Sequence, residues 1–254
     1  MTIVDYLWIV AKEFMLVLFL GVMPYIIYAI VMQFLTNFIR QRLAIILGVK
    51  SYVLLTAPGV MIHELSHALF CLIFGHKIEE MKLFSPEDDG TLGYVNHSYN
   101  KKNLYHKIGN LFIGTGPIWG GITVLWIASS FLLPDGIINL KNGLNVTIEQ
   151  FINHLMTEEF WTSWQSYLWL YIVITVSSHI TLSPLDIQGA TAGGLVLIGT
   201  ILILELAVAW NNEINKTIIT ALERILILLS PILLFSFFLA FLYAILLAIC
   251  VRKK

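Results

Sequence analysis

No aspartate, glutamate, lysine or arginine occurs from Phe14 to Ile39, Ile108 to Pro134, Phe160 to Leu185, Ile187 to Leu204, or Ile225 to Val251. Uncharged apolar runs of this length limit the possible folds severely. About 20 such residues make a helix that crosses the roughly 30 Å hydrocarbon core of a bilayer. A sixth run, Tyr52 to Gly75, is interrupted only by His63, Glu64 and His67. The expectation is an all-α polytopic membrane protein. Its six transmembrane helices would lie at about 14–36, 52–75, 109–133, 163–183, 187–209 and 225–251. Composition points the same way: 58% of residues are hydrophobic and 12% charged. A soluble domain carries about 25% charged residues, so little is left here to cover a water-facing surface. Disorder is excluded on the same ground.

A net charge of −1 leaves no footprint for nucleic acid. The two cysteines, Cys71 and Cys250, exclude a disulfide framework and a four-cysteine zinc site, and both read as packing residues. The N-terminus carries Asp5, Lys12 and Glu13 and lacks a basic leader, so the first apolar run is expected to stay as a helix. Residues 40–50 carry Arg40, Arg42 and Lys50 and read as a short interfacial helix. An even number of spans puts both termini on one side. Placing them in the cytoplasm, as in a bacterial plasma membrane, leaves the acidic stretch from Pro134 to Glu159 as an external loop, in keeping with the positive-inside rule. His76 to Lys107 is too short for a separate domain and reads as a β-hairpin, Lys77–Phe84 with Thr91–Tyr99, turning at Asp89-Gly90. The whole chain, 1–254, is then one integral-membrane domain.

Residues 63–67 read His63-Glu64-Leu65-Ser66-His67, the H-E-x-x-H pattern. On a helix, residues four apart share a face, so both imidazoles reach one metal ion, and the neighbouring Glu64 reaches a water there as general base. Zinc in such a site acidifies water and polarises a carbonyl. Polar groups inside a membrane helix cost a few kcal/mol each and mark functional sites by default.

Catalytic zinc has three protein ligands as a rule. Asp186 sits between two apolar runs, just after Ser183-Pro184, which look like an N-cap and first helical position. Its carboxylate closes the site if that turn tucks inward; otherwise it merely favours the helix start. His179 is a second possibility, as ligand or as a donor to the transition-state oxyanion. Glu205, inside the fifth apolar run, is a third. His76, His106 and His154 read as loop residues, while His97 nears the metal if the hairpin folds back.

In four features, in order, the sequence resembles the site-2 protease family of intramembrane zinc metalloproteases. They are His63–His67 followed by Ala68-Leu69-Phe70, the hairpin region from Gly75 to about Tyr99, Gly114-Thr115-Gly116-Pro117, and Leu185-Asp186. The resemblance covers roughly residues 52–190, the core of the domain. It implies His63, His67 and Asp186 as zinc ligands, Glu64 as base, and a hairpin that holds substrate extended. Ile187 stands where the family's Leu-Asp-Gly has glycine. With no PDZ-like or sensor domain, the chain looks like a minimal, divergent member.

The implied function is hydrolysis of membrane-embedded peptides, in regulated intramembrane proteolysis or in signal and leader peptide processing. The partners are then a transmembrane or membrane-associated peptide substrate and the lipid bilayer; oligomeric state is left open. An extended substrate would add to the hairpin edge at Thr91, Leu92, Gly93, Tyr94 and Val95. Two rival readings stand beside this one. One is a membrane zinc protease of the prenyl-protein or heat-shock type, with Glu205 as third ligand. The other is a metal-binding transporter that uses His63, Glu64, His67 and His179 as a cation path.

Overall fold

The computed structural model describes residues 2–87, 90–134, 144–208 and 211–251. It is mostly helical. The chain opens with α1 (Ile3–Gly21) and α2 (Met23–Leu47), then α3 (Val49–Leu55) and α4 (Ala57–Ile73). A hairpin of β1 (Lys77–Lys82) and β2 (Tyr94–Ser98) follows. Next come α5 (Leu104–Gly114), α6 (Gly116–Leu132), α7 (Leu144–Leu155), α8 (Glu158–Thr162) and α9 (Trp164–Ser177). The chain ends in α10 (Pro184–Val208) and α11 (Asn212–Val251).

Among the described residues, three stretches are long and apolar enough to cross a membrane: Ile3–Leu47, Pro184–Ala207 and Glu213–Ile249. The number rises to five if α3 with α4 and α5 with α6 each form one bent span, the bends being 58° and 56°. Each bend falls at a threonine, Thr56 or Thr115, with a proline two residues on, Pro58 or Pro117. Proline has no N–H for the preceding turn and clashes with its carbonyl, so the axis breaks there.

The six expected segments are therefore redrawn. The expected 14–36 helix and the interfacial helix at 40–50 are replaced by α1 and α2, with Arg40 and Arg42 inside a helix that runs on to Leu47. The expected 163–183 helix stops at Ser177, and its 14 residues span only about 21 Å. Part of the stretch read as an external loop is helical, as α7 and α8, and Phe151 of α7 is fully buried against Trp169, Phe235 and Phe238. Its charged ends conceal an amphipathic helix. The expected last two segments coincide with α10 and with the second half of α11.

The core joins α2, α6, α7, α9 and α11 through Met32, Ile39, Leu125, Phe151, Trp169, Val176 and Leu239. The outer surface is oily: Phe131, Trp8, Phe34 and Ile227 are each more than two-thirds exposed. Apolar exposure on this scale is compatible with a lipid environment. α4 packs between α6, α9 and α5, and α10 packs along α5. At the last crossing Gly114 lies directly on the backbone carbonyl of Asp186. A side chain there would collide with backbone that cannot yield, so glycine sets how closely Asp186 approaches α4.

The hairpin is antiparallel, in the register Lys77↔Ser98, Ile78↔His97, Glu80↔Asn96, Met81↔Val95 and Lys82↔Tyr94, with a bulge at Glu79. The pairing continues more loosely, Ser85 N–H donating to Leu92 O at 2.7 Å and Glu87 N–H to Thr91 O at 2.8 Å. Of the expected turn, Asp89 lies outside the described residues, and Gly90 has φ +90°, a conformation that favours glycine.

Candidate metal centre

Helix α4 carries the H-E-x-x-H residues, and Glu64 and His67 are on its buried face. His67 and Glu64 are buried and His63 is nearly so. Two backbone carbonyls fix the rings. His63 Nδ1–H donates to the carbonyl of His179 at 2.9 Å, and His67 Nδ1–H to that of Ile113 at 2.7 Å. A carbonyl only accepts, so both protons sit on Nδ1 and both Nε2 atoms present lone pairs.

Those lone pairs converge. The two Nε2 atoms are 3.2 Å apart. Asp186 completes the group, with Oδ1 at 3.3 Å from His67 Nε2 and Oδ2 at 4.0 Å from His63 Nε2. Asp186 stands in the first turn of α10, where Ser183 N–H donates to its Oδ2 at 2.7 Å and its own N–H donates to Ser183 Oγ at 3.2 Å. This is a capping box. The cap and the site are therefore not alternatives for Asp186: one oxygen caps the helix while the other faces His67.

With both imidazoles neutral, the three acceptors repel one another unless a cation joins them. A tetrahedral ion with ligands at about 2.0–2.1 Å sets neighbouring ligand atoms roughly 3.3 Å apart. Two of the separations, 3.2 and 3.3 Å, match that spacing, and the third, at 4.0 Å, is longer. His63, His67 and Asp186 form a possible metal-binding triad, all three ligand atoms lying within 4.8 Å of one another.

The triad opens onto a cavity of about 970 Å³. Glu64 faces it, and residues 90–97 of the hairpin form the opposite wall. Gly93 lies over Glu64: a β-carbon at Gly93 would stand 2.9 Å from Glu64 Cγ and 2.8 Å from the carbonyls of Lys82 and Leu83. One edge of β2 pairs with β1, and among the described residues no strand lies beside its other edge.

The remaining expected residues separate clearly. His179 contributes its carbonyl to His63, while its ring bonds Thr56 Oγ at 2.9 Å and lies 3.5 Å from the Tyr52 hydroxyl. Its carbonyl orients the His63 ring from behind. His97 reaches the cavity wall, its Nδ1 3.0 Å from Nδ1 of the buried His76. His76 Nε2–H donates to the carbonyl of His106 at 2.8 Å, so His97 is the donor in the pair. Burial holds both imidazoles below the ordinary histidine range, which favours their neutral forms. Glu205 lies 19 residues beyond Asp186 on the same helix, about 28 Å along its axis. It is buried near Glu13 and does not line the cavity.

Sequence reasoning misses one wall of the cavity. Gln33, Asn37 and Arg40, on one face of α2, line it. Their spacing of four and three residues is the available signal, obscured because Arg40 groups naturally with the charges that follow it. Gln33 pairs with the backbone of Leu182, donating to its carbonyl at 3.2 Å and accepting its N–H at 2.7 Å. It thereby holds the segment that leads into Asp186. No protein-family model, curated protein or solved structure matches this chain.

Proposed function

We propose that this protein is an intramembrane zinc metalloprotease, a multi-pass membrane enzyme that hydrolyses peptide bonds of membrane-embedded substrates. The observation that carries this reading is the convergence of two imidazole nitrogens and a carboxylate beside Glu64, in a cavity that residues 90–97 of the hairpin also line. The six spans expected from the sequence reduce in this proposal to as many as five, two of them bent.

His63, His67 and Asp186 would hold the zinc, whose chemistry when bound is to acidify water and polarise a carbonyl. The chain's own residues supply the rest. The carbonyls of His179 and Ile113 keep both imidazoles in the ligating tautomer. Glu64 accepts a proton from water and passes it to the leaving amine. A substrate helix has all its backbone bonds satisfied and must unwind before it is cut. Of the expected edge, Gly93, Tyr94 and Val95 would take the unwound strand by β-addition, the carbonyls of Thr91 and Leu92 being bonded within the hairpin to Glu87 and Ser85. The cavity admits the water that hydrolysis consumes.

The test is cleavage of labelled transmembrane peptides in liposomes that contain the purified protein, with products identified by mass spectrometry. Cleavage should stop with a zinc chelator and return with added zinc. Cleavage that persists through chelation, or none by metal-loaded protein across a broad peptide panel, would overturn the reading. In the same assay Gly93→Ala should cut activity by about tenfold or more while metal content stays unchanged, because the added methyl displaces either Glu64 or the strand edge. Wild-type activity in that variant would remove the hairpin from the mechanism.

A further inference from the structure

Arg40 is a cation inside an apolar helix, on the wall of the cavity that holds the metal triad. Among the described residues no carboxylate lies within 4.0 Å of it. Its guanidinium makes no geometric hydrogen bond among the described residues; the Tyr52 phenol is its nearby polar neighbour, and the N–H groups are left for something else. Asn37, one turn earlier on the same face, also lines the cavity and makes no hydrogen bond through its amide among the described residues. A buried or half-buried arginine is costly unless it is paired, and at membrane depth it marks a functional site by default.

Building on the protease reading, we infer that Arg40 and Asn37 form a subsite for a carboxylate of the substrate peptide, on the α2 side of the metal centre. Guanidinium and amide N–H groups together match the two oxygens of a carboxylate. The charge of the rest of the cavity limits the anion. Glu64, Glu87 and Asp186 also line it, so a dianionic phosphate would meet more repulsion than a single carboxylate. The carboxylate has two possible sources, an acidic side chain near the scissile bond or a free C-terminus. Either makes the preferred substrate an apolar peptide with one acidic group at a fixed distance from the bond that is cut. Within that reading Arg40 is a specificity residue.

The test uses apolar peptides with a hydroxamate at the amino end, which anchors each one on the metal. One set places aspartate or asparagine at successive positions; a second compares a free C-terminus with a C-terminal amide. Binding to the zinc-loaded full chain in detergent is measured by calorimetry. At one position or terminus the acid should bind about tenfold tighter than its amide, the scale of a charge-assisted hydrogen bond. The preference should disappear in Arg40→Gln and persist, weakened, in Arg40→Lys, while the all-amide peptides bind all three proteins alike. Lysine keeps the charge, so this variant also reports on any folding defect at the position. Equal binding of every acid and amide pair, or a preference that survives Arg40→Gln, overturns the subsite. An acid preference in a protein that cleaves nothing overturns the protease reading alone. Failure of every hydroxamate to bind overturns the metal site and the subsite together.

Discussion

Alanine at His67 or at Asp186 should empty the metal centre. The purified wild-type protein should hold about one zinc per chain by elemental analysis, and each variant close to none. The reason is geometric: removing one of three converging ligands leaves two and loses most of the affinity. The companion variants make the result specific. Glu205→Ala should retain the metal, since Glu205 lies about 28 Å along α10 from Asp186. His179→Ala should retain most of it, because the group that orients His63 is the backbone carbonyl of residue 179, which alanine keeps. Outer hydrogen bonds to ligands affect affinity about 10–100-fold. That bond is kept in alanine, so only the anchoring of residue 179 through its ring to Thr56 is lost, and the expected loss of affinity is small. Metal retained in Asp186→Ala but lost in Glu205→Ala would transfer the third ligand to the far end of α10 and refute the geometry of the triad.

Much of this site is legible in the residues themselves, for identifiable reasons. The two histidines and Glu64 are local: helical periodicity alone places them, and the helix is announced by its apolar run. The capping box of Ser183 and Asp186 is also local, which is why the start of α10 can be read. That Asp186 meets the histidines is not a local fact. It depends on α10 lying along α5 at a glycine contact and on Gln33 gripping Leu182 from another helix. Residues from distant parts of the chain make those contacts, and one sequence does not reveal them. The two carbonyls that fix the imidazoles carry no sequence signal at all, because every residue has one.

Span counting fails for a different reason. Hydropathy records whether a stretch is apolar, not whether its axis is straight. Pro58 and Pro117 break two apolar runs without adding charge, and α9 stops short of a full span although the residues after it remain uncharged. The bend at Pro58 bears on function as well as on counting. It changes the axis of the chain just before α4, the helix that carries His63, Glu64 and His67.

Glu64→Gln should abolish hydrolysis while leaving the metal content and the fold intact. Glutamine is nearly isosteric with glutamate and keeps the packing under Gly93, but it cannot accept a proton at the oxygen that faces the cavity. General base catalysis contributes about 10²–10⁴-fold, so cleavage should fall by at least about a hundredfold. The variant should still bind the hydroxamate peptides, whose anchoring depends on the metal triad and the cavity wall and not on proton transfer. Binding without turnover separates the protease from a metal transporter. A transporter that uses His63, Glu64 and His67 as a cation path would lose ion flux in this variant, and its wild type would never release a peptide. Cleavage within a few fold of wild type in a metal-loaded Glu64→Gln protein would show that another group moves the proton. His97, on the opposite wall with its Nδ1–H committed to His76, would then be the next side chain to replace.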